Sequence, residues 1–201
     1  AELMKYKGNR EDANDKYLDI IINSAKHLLK VINDILYFIR IETGKMKINA
    51  SEHSLNEVLD EIYWEFYKQS EIQEEEEEEK DKNIELRRSY SLPEGNDQII
   101  IDKFNLYEFL KRLIDNALKN TSKGWVELSY EVKNKNQLIF YIKDTGNGVS
   151  RDKHDELFDL SKQLEEKIHN EPAEIGLGLN IAKRTVEFMG GEFGFDSEEG
   201  K

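Results

Sequence analysis

The residues best suited to chemistry fall in three short segments, and the first is a polar pair on a predicted helix. Asn116 lies at the inner edge of an amphipathic run, beside Ala117, and Lys119 follows three residues later. A carboxamide oxygen can ligate Mg²⁺, a hard cation that takes one or two protein oxygens together with nucleotide phosphates. A lysine ammonium nearby can neutralise phosphate charge. Taken alone, the same pair also suits an ordinary helix surface.

The second segment, residues 144–149, directly follows an apolar strand pattern. The carboxylate of Asp144 at the strand end can accept a hydrogen bond from an adenine amine, and Gly146 and Gly148 allow backbone to approach a flat ring. A solvent-exposed turn is the alternative for this segment alone. The third segment, residues 176–179, begins a helix, where free N–H groups and the dipole favour phosphate. Gly176, Leu177 and Gly178 form a Gly-x-Gly that flexible loops also produce.

Helical and strand patterns mix along the chain without strict alternation. Helices are predicted over about residues 13–43, from a capping box at 54–57, over about 103–120 and over 177–188. Strands are predicted at 84–90, 98–101, 125–132 and 138–143, with a further strand over 192–196 and an extended piece near 46–48. The polar stretch 161–174 is predicted to be a mobile loop. This mixture indicates an α+β fold, built as a two-layer α/β sandwich.

The first predicted helix carries an apolar seam that has no partner within the chain. Its a and d positions are Leu18, Ile21, Ala25, Leu28, Ile32, Ile35 and Ile39, and the stripe is widened by Ile22, Leu29 and Leu36. This width favours a four-helix bundle over a two-stranded coil. Partner helices are therefore expected from outside this chain or from a second copy. Gly44 supplies a stop for the helix.

Composition excludes several function classes. The net charge is -13, from 42 acidic and 29 basic residues. Such a surface repels nucleic acid and anionic lipid, because binding phosphate backbones requires clustered Lys and Arg. The absence of cysteine excludes disulfides, thiolate metal sites and cysteine nucleophiles. No apolar stretch approaches the roughly 20 residues of a membrane-spanning helix, and no signal peptide opens the chain, so a soluble fragment is expected.

The order and spacing of these segments resemble the sensor histidine kinases, within the wider ATPase superfamily that includes gyrase, the mismatch-repair ATPases and a heat-shock chaperone. Four motifs stand in register: residues 113–119, the Asn motif; 144–148, the first glycine motif; Phe158, the Phe motif; and 176–179, the second glycine motif. Residues 180–191 match the family's continuation closely. Asp102 stands where the family has an Asp opening the Asn-motif helix. Residues 32–36 and 41–46 resemble the second helix of the dimerisation region and its exit.

The resemblance implies an ATP-binding kinase domain that transfers the γ-phosphoryl group to a histidine for phosphorelay signalling, with ATP and Mg²⁺ as cofactors. Asn116 would hold Mg²⁺, Lys119 would neutralise phosphate charge and Asp144 would bind the adenine amine. Residues 158–175 would form a lid over the nucleotide. The residues that would hold the nucleotide and this lid are Gly146, Gly148, Gly176, Leu177 and Gly178.

The family also implies an organisation and partners. Residues 1–48 would be part of the dimerisation and phosphoacceptor region, and residues 49–201 the ATP-binding catalytic domain with its last strand cut short. A homodimer through the first helix and a response-regulator receiver domain are the expected partners, and no nucleic acid is expected. The domain would be cytoplasmic, with any inner-membrane anchor in segments absent here.

The sequence departs from the family one helical turn before Asn116, where the kinases usually have Asn and the gyrase-like ATPases a catalytic Glu. This chain has Arg112, which cannot act as a base at neutral pH, so gyrase-type hydrolysis is disfavoured. Its guanidinium is expected either to touch phosphate or to point to solvent. Asn120 replaces an aromatic residue, and Glu174 and Ile175 replace the usual Gly-Thr or Gly-Ser. Arg112, Glu174 and Ile175 favour an alternative function, a degenerate nucleotide-binding module that signals without phosphoryl transfer.

No histidine of the chain has the surroundings of a phosphoacceptor. In the family that histidine is followed by Glu or Asp and shortly afterwards by Pro, and His27 is followed by neither. It occupies a heptad c position, which predicts a surface residue. His53, His154 and His169 fall in loops or at helix ends. The acceptor helix is expected to lie outside this chain, so the fragment alone is not expected to autophosphorylate.

Overall fold

The computed structural model describes residues 2–76, 83–134, 137–154, 156–158 and 177–200. In chain order its elements are α1 (Glu2–Glu42), β1 (Ser51–Ser54), α2 (Leu55–Glu76), β2 (Asn83–Tyr90), β3 (Gln98–Ile101), α3 (Lys103–Asn120), β4 (Lys123–Asn134), β5 (Gln137–Asp144) and α4 (Leu177–Phe188). Single turns of 3-10 helix lie at Arg151–Lys153 and Glu156–Phe158. The predicted lid and mobile loop fall largely on residues 159–176, outside the described residues.

The main sheet is mixed and has the strand order β2-β4-β5. β2 runs parallel to β4, with Leu86 opposite Val126, and β5 returns antiparallel to β4, with Phe140 opposite Tyr130. A second, two-stranded sheet pairs β1 with β3 in antiparallel register. Parallel β2 and β4 require a crossover connection, and α3 lies within it.

The core lies between the main sheet and the helices. Its buried members come from α2, α3, β4 and α4, and they are Leu55, Val58, Leu59, Ile62, Phe66, Leu106, Phe109, Leu110, Ile114, Leu128, Tyr130 and Ala182. The α2 and α3 members recur at the three- and four-residue steps of one helix face, which is why these two segments form amphipathic helices against the sheet. The predicted α+β two-layer architecture is confirmed.

Two aspartates accept hydrogen bonds from the first turns of helices: Asp97 at α2 and Asp102 at α3. Asp97 Oδ2 accepts hydrogen bonds from the Asn56 amide at 2.9 Å and from the Ser54 hydroxyl, and Ser54 Oγ accepts the Glu57 amide at 3.2 Å. The predicted capping box at α2 therefore works together with an acid from the β2–β3 turn. At α3, Asp102 Oδ1 accepts the Asn105 amide at 3.0 Å.

The start and end of α1 differ in how well the sequence predicts them. α1 begins at Glu2, ahead of the predicted residue 13, because the segment holds helix-forming residues without apolar periodicity. Its end is as predicted: Gly44 has φ +61 and its amide donates to the Ile41 carbonyl at 3.0 Å. Within the described residues no helix is long and apolar enough to span a membrane.

One strand was not predicted, and one predicted strand is wrong. The polar segment Ser51–Ser54 was not predicted as a strand, since it forms β1 only by pairing with β3. Residues 192–196 form no strand. The residues that follow this segment bond the loop after β5: Gly200 N donates to Asn147 O at 3.0 Å, and the Val149 amide donates to Ser197 Oγ at 2.9 Å.

Candidate functional site

Helix α3 presents Asn116 and Lys119 on its exposed side, near its C-terminal end. Its opposite side buries Leu110, Ile114 and Ala117. The helix ends at Asn120, and the buried Thr121 hydroxyl donates to the Ala117 carbonyl at 2.8 Å. The apolar face is therefore committed to the core, and the two polar side chains predicted to bind a ligand face outward.

Asn120 connects α3 to the loop of residues 144–149, a role that the sequence did not predict. Its side-chain amide donates to the Asn116 carbonyl at 2.7 Å and to Asn116 Oδ1 at 3.3 Å. Its own carbonyl accepts the Asn147 amide at 3.2 Å. The four-residue spacing between Asn116 and Asn120, which places them on one helix face, was the available signal.

The loop after β5 keeps Asp144 exposed while fixing its carboxylate. Asp144 Oδ1 accepts the Gly146 amide at 2.9 Å. A Cβ on Gly146 would lie 2.5 Å from the Asn120 carbonyl oxygen, and Gly148 has φ +66 and packs on the backbone of Glu198. Both glycines thus permit close backbone contacts within the protein. Thr145 ties the loop to β4, since its hydroxyl accepts the Trp125 amide at 2.9 Å.

Helix α4 begins at Leu177, within the segment predicted to bind phosphate. Leu177 is buried, and no described atom lies within 4 Å of where a Cβ on Gly178 would be. Ile181, Ala182 and Thr185 are buried, and α4 packs on α3. Gly176, predicted as part of this segment, is outside the described residues.

Phe158 packs beside α4 and the C-terminal segment. Its ring centre is 5.8 Å from that of Phe193, and the Lys183 ammonium lies 4.8 Å above its ring. The position predicted as the Phe motif therefore contacts the helix that carries the second glycine motif.

The structure contradicts one of the two expectations for Arg112 and leaves the other, contact with phosphate, a prediction. The Arg112 side chain is 13% exposed, so it does not point to solvent, and it pairs with two acidic side chains. Nη1 donates to Asp34 Oδ1 at 2.6 Å and Nη2 to Glu108 Oε2 at 3.2 Å. The Tyr37 ring lies 5.3 Å from the guanidinium carbon. Burial raises the pKa of the Tyr37 hydroxyl, which stays protonated and donates to Asn105 Oδ1 at 3.0 Å.

The described histidines take local roles. His27 is partly buried on α1, His53 Nε2 lies 2.8 Å from Ser51 Oγ, and His154 Nε2 lies 3.1 Å from the Val149 carbonyl. In the described ranges no three His, Cys, Asp or Glu side chains gather as a metal site.

Family comparison agrees with this geometry. Residues 101–201 match the family described as histidine kinase-, DNA gyrase B-, and HSP90-like ATPases. The match spans α3, the loop after β5 and α4, which are the elements of the candidate site. The chain therefore belongs to this ATPase family.

Sensor kinases are among its relatives. The chain is 32% identical over 209 residues to the autoinducer 2 sensor kinase/phosphatase LuxQ of Vibrio parahaemolyticus, covering 100% of this chain and 23% of that protein. It is 30% identical over 186 residues to the histidine-protein kinase BarA of Escherichia coli K12, covering 90% of this chain and 19% of that protein. The chain thus spans about a fifth of the length of these curated relatives.

Solved structures share the fold. Full-length ShkA, crystallised with AMPPNP, matches with a TM-score of 0.70 at 25% identity, over 87% of this chain and 34% of that one. The Acinetobacter baumannii histidine kinase AdeS matches with a TM-score of 0.66 at 17% identity, over 89% of this chain and 76% of that one.

Proposed function

We propose that this chain binds Mg·ATP and transfers the γ-phosphoryl group to a histidine on a helix outside these residues, as the catalytic part of a two-component sensor histidine kinase. The observation that carries the proposal is the junction at Asn120. Through it, the exposed carboxamide of Asn116 and the exposed carboxylate of Asp144 belong to one connected surface. The relatives named above are sensor kinases, and the ShkA structure holds an ATP analogue.

The side chains of the candidate site suit the groups of Mg·ATP. The Asp144 carboxylate, held by the Gly146 amide, accepts a hydrogen bond from the adenine amine. The Asn116 carboxamide oxygen is an oxygen ligand of the kind Mg²⁺ takes. Lys119 adds positive charge for the phosphates, and no atom of the described residues crowds Gly178, so a phosphate can approach the α4 N-terminus. The ion supplies charge stabilisation for phosphoryl transfer, and these residues supply positioning.

The proposed organisation follows from α1. Residues 1–48 form part of a dimerisation region and residues 49–201 the catalytic domain. On α1 the seam residues Leu18, Ile21, Leu28, Ile32, Ile35 and Ile39 are all exposed in the single chain. A homodimer that builds a four-helix bundle would bury them. A response-regulator receiver domain is the proposed downstream partner, and the proposed location of the domain is cytoplasmic.

The second candidate function is nucleotide binding without transfer, and Arg112 favours it. The residue stands where the kinases usually have Asn, and it is paired with Asp34 and Glu108. A domain in this state would signal through the positions of its helices.

Radiolabel transfer separates the two functions. The chain is supplied with the acceptor helix of its own full-length protein and incubated with γ-labelled ATP and Mg²⁺. Label on the acceptor histidine, lost in the acceptor His→Gln variant, supports the kinase. Nucleotide binding with no label on the acceptor supports the binding module.

A further inference from the structure

Helix α1 forms an ion pair with Arg112 of α3, although α1 contributes none of the proposed nucleotide-binding residues. The Asp34 carboxylate lies 2.6 Å from Nη1 of Arg112, and their side chains are 12% and 13% exposed. Because this pair is largely shielded from water, it is stronger than a surface ion pair and depends on α1 staying in place.

The same stretch of α1 spans both helices of the candidate site. On α3, the Tyr37 hydroxyl donates to Asn105 Oδ1 at 3.0 Å. On α4, the Thr185 hydroxyl lies 3.5 Å from the Tyr37 oxygen, and Arg184 Nε lies 3.3 Å from Glu42 Oε1. A shift of α1 therefore disturbs its contacts with α3 and α4 together.

Arg112 stands one helical turn before Asn116, so the two residues are neighbours along α3. A guanidinium has a planar set of donors that matches phosphate oxygens. Here those donors are turned to Asp34 and Glu108, and Arg112 Nε is buried with no hydrogen-bond partner among the described residues. A buried unpaired donor costs free energy, so the docked arrangement leaves part of the guanidinium unsatisfied and able to gain from another acceptor.

We infer that the Asp34 carboxylate and the phosphates of a bound nucleotide compete for Arg112. This inference rests on the proposed nucleotide site. While α1 is docked through Asp34, the guanidinium is withheld from the phosphates. When α1 moves and the pair breaks, Arg112 swings toward Asn116 and binds a phosphate of the triphosphate. Arg112 is thus a phosphate-binding residue whose availability is set by the position of α1.

The test compares nucleotide affinities after removal of single charges from α1. Asp34→Asn keeps the side-chain size and releases Arg112, so Mg·AMPPNP should bind about tenfold more tightly, as expected for one added charge-assisted hydrogen bond. Adenosine, which lacks phosphates, should bind with unchanged affinity. Glu42→Gln is the matched control, because it removes the same charge from α1. In the wild type Glu42 pairs with Arg184 and not with Arg112.

A double variant identifies the cation involved. Arg112→Met keeps most of the packing volume, and Asp34→Asn should change the Mg·AMPPNP affinity little in that background. The inference is overturned if Asp34→Asn behaves as Glu42→Gln does, or if its effect survives in the Arg112→Met background. Loss of the proposed function itself gives a different result, namely wild-type chain that binds neither adenosine nor Mg·AMPPNP.

Discussion

The Asn147 amide donates to the Asn120 carbonyl at 3.2 Å, so the end of α3 is hydrogen-bonded to the glycine loop after β5. The Asn120 side chain holds the Asn116 carbonyl from the same position, at 2.7 Å. One residue therefore joins the two elements that we propose bind the nucleotide.

Asn120→Ala should weaken Mg·nucleotide binding roughly fivefold, the equivalent of about one net hydrogen bond. The backbone contact to Asn147 remains, so the fold should persist with an unchanged circular dichroism spectrum. Calorimetric titration measures the affinity. Asn33→Ala, an exposed Asn→Ala change on α1, is the control for helix propensity. Equal affinities in Asn120→Ala and the control would show that the side-chain bridge is irrelevant to binding.

Alanine substitutions at Gly146 and Gly178 should have different effects on the free energy of unfolding. Gly146→Ala places a Cβ 2.5 Å from the Asn120 carbonyl and should cost about 1–3 kcal/mol of unfolding free energy. Gly178→Ala meets no described atom and lies in a helix, so it should keep or raise the stability. Urea denaturation measures both. Similar destabilisation by the two changes would contradict the described packing.

The strongly amphipathic helices were predictable from sequence, and the long-range polar contacts were not. The bounds of α3 and α4 follow from apolar periodicity with a capping Asp102 and an ending Gly190, all of them local signals. β1 escaped prediction because Ser51–Ser54 is polar and becomes a strand only beside β3. The partners of Arg112 escaped prediction because Asp34 is 78 residues away in the chain. The binding roles of Asn116, Lys119, Asp144, Gly146, Gly148, Gly176, Leu177 and Gly178 stay predictions.

The capping acid Asp97 should make stability depend on pH. The Ser54 hydroxyl hydrogen bond holds the pKa of Asp97 below its ordinary value of 3.8. A carboxyl with a lowered folded pKa stabilises the fold above its unfolded pKa, and this contribution is lost as the pH falls through the folded pKa.

Asp97→Asn should therefore lower the unfolding free energy by about 1–2 kcal/mol at neutral pH. The difference from wild type should shrink below about pH 4. Urea unfolding over that pH range measures it, with the exposed Asp196→Asn as control. A difference that grows as the pH falls would refute the assignment.

Self-association through α1 should depend on its exposed seam. Ile32 and Ile35 are 45% and 42% exposed in the single chain. Replacing both by Glu should give a monomer whose catalytic domain stays folded, because neither side chain belongs to the core between the sheet and the helices. Light scattering measures the mass, with Asn33→Glu as the charge control. A wild-type chain that is already monomeric at high concentration would contradict the bundle.

The most direct test of the proposed site is calorimetric titration of Mg·AMPPNP into the wild-type chain and its Asp144→Ala and Asn116→Ala variants. Asp196→Ala and Asn33→Ala serve as matched controls, since they remove the same groups from exposed positions outside the site. We expect binding by wild type and both controls, and binding that is abolished or weakened at least tenfold in Asp144→Ala and Asn116→Ala. Unchanged affinity in both site variants would contradict the proposed site.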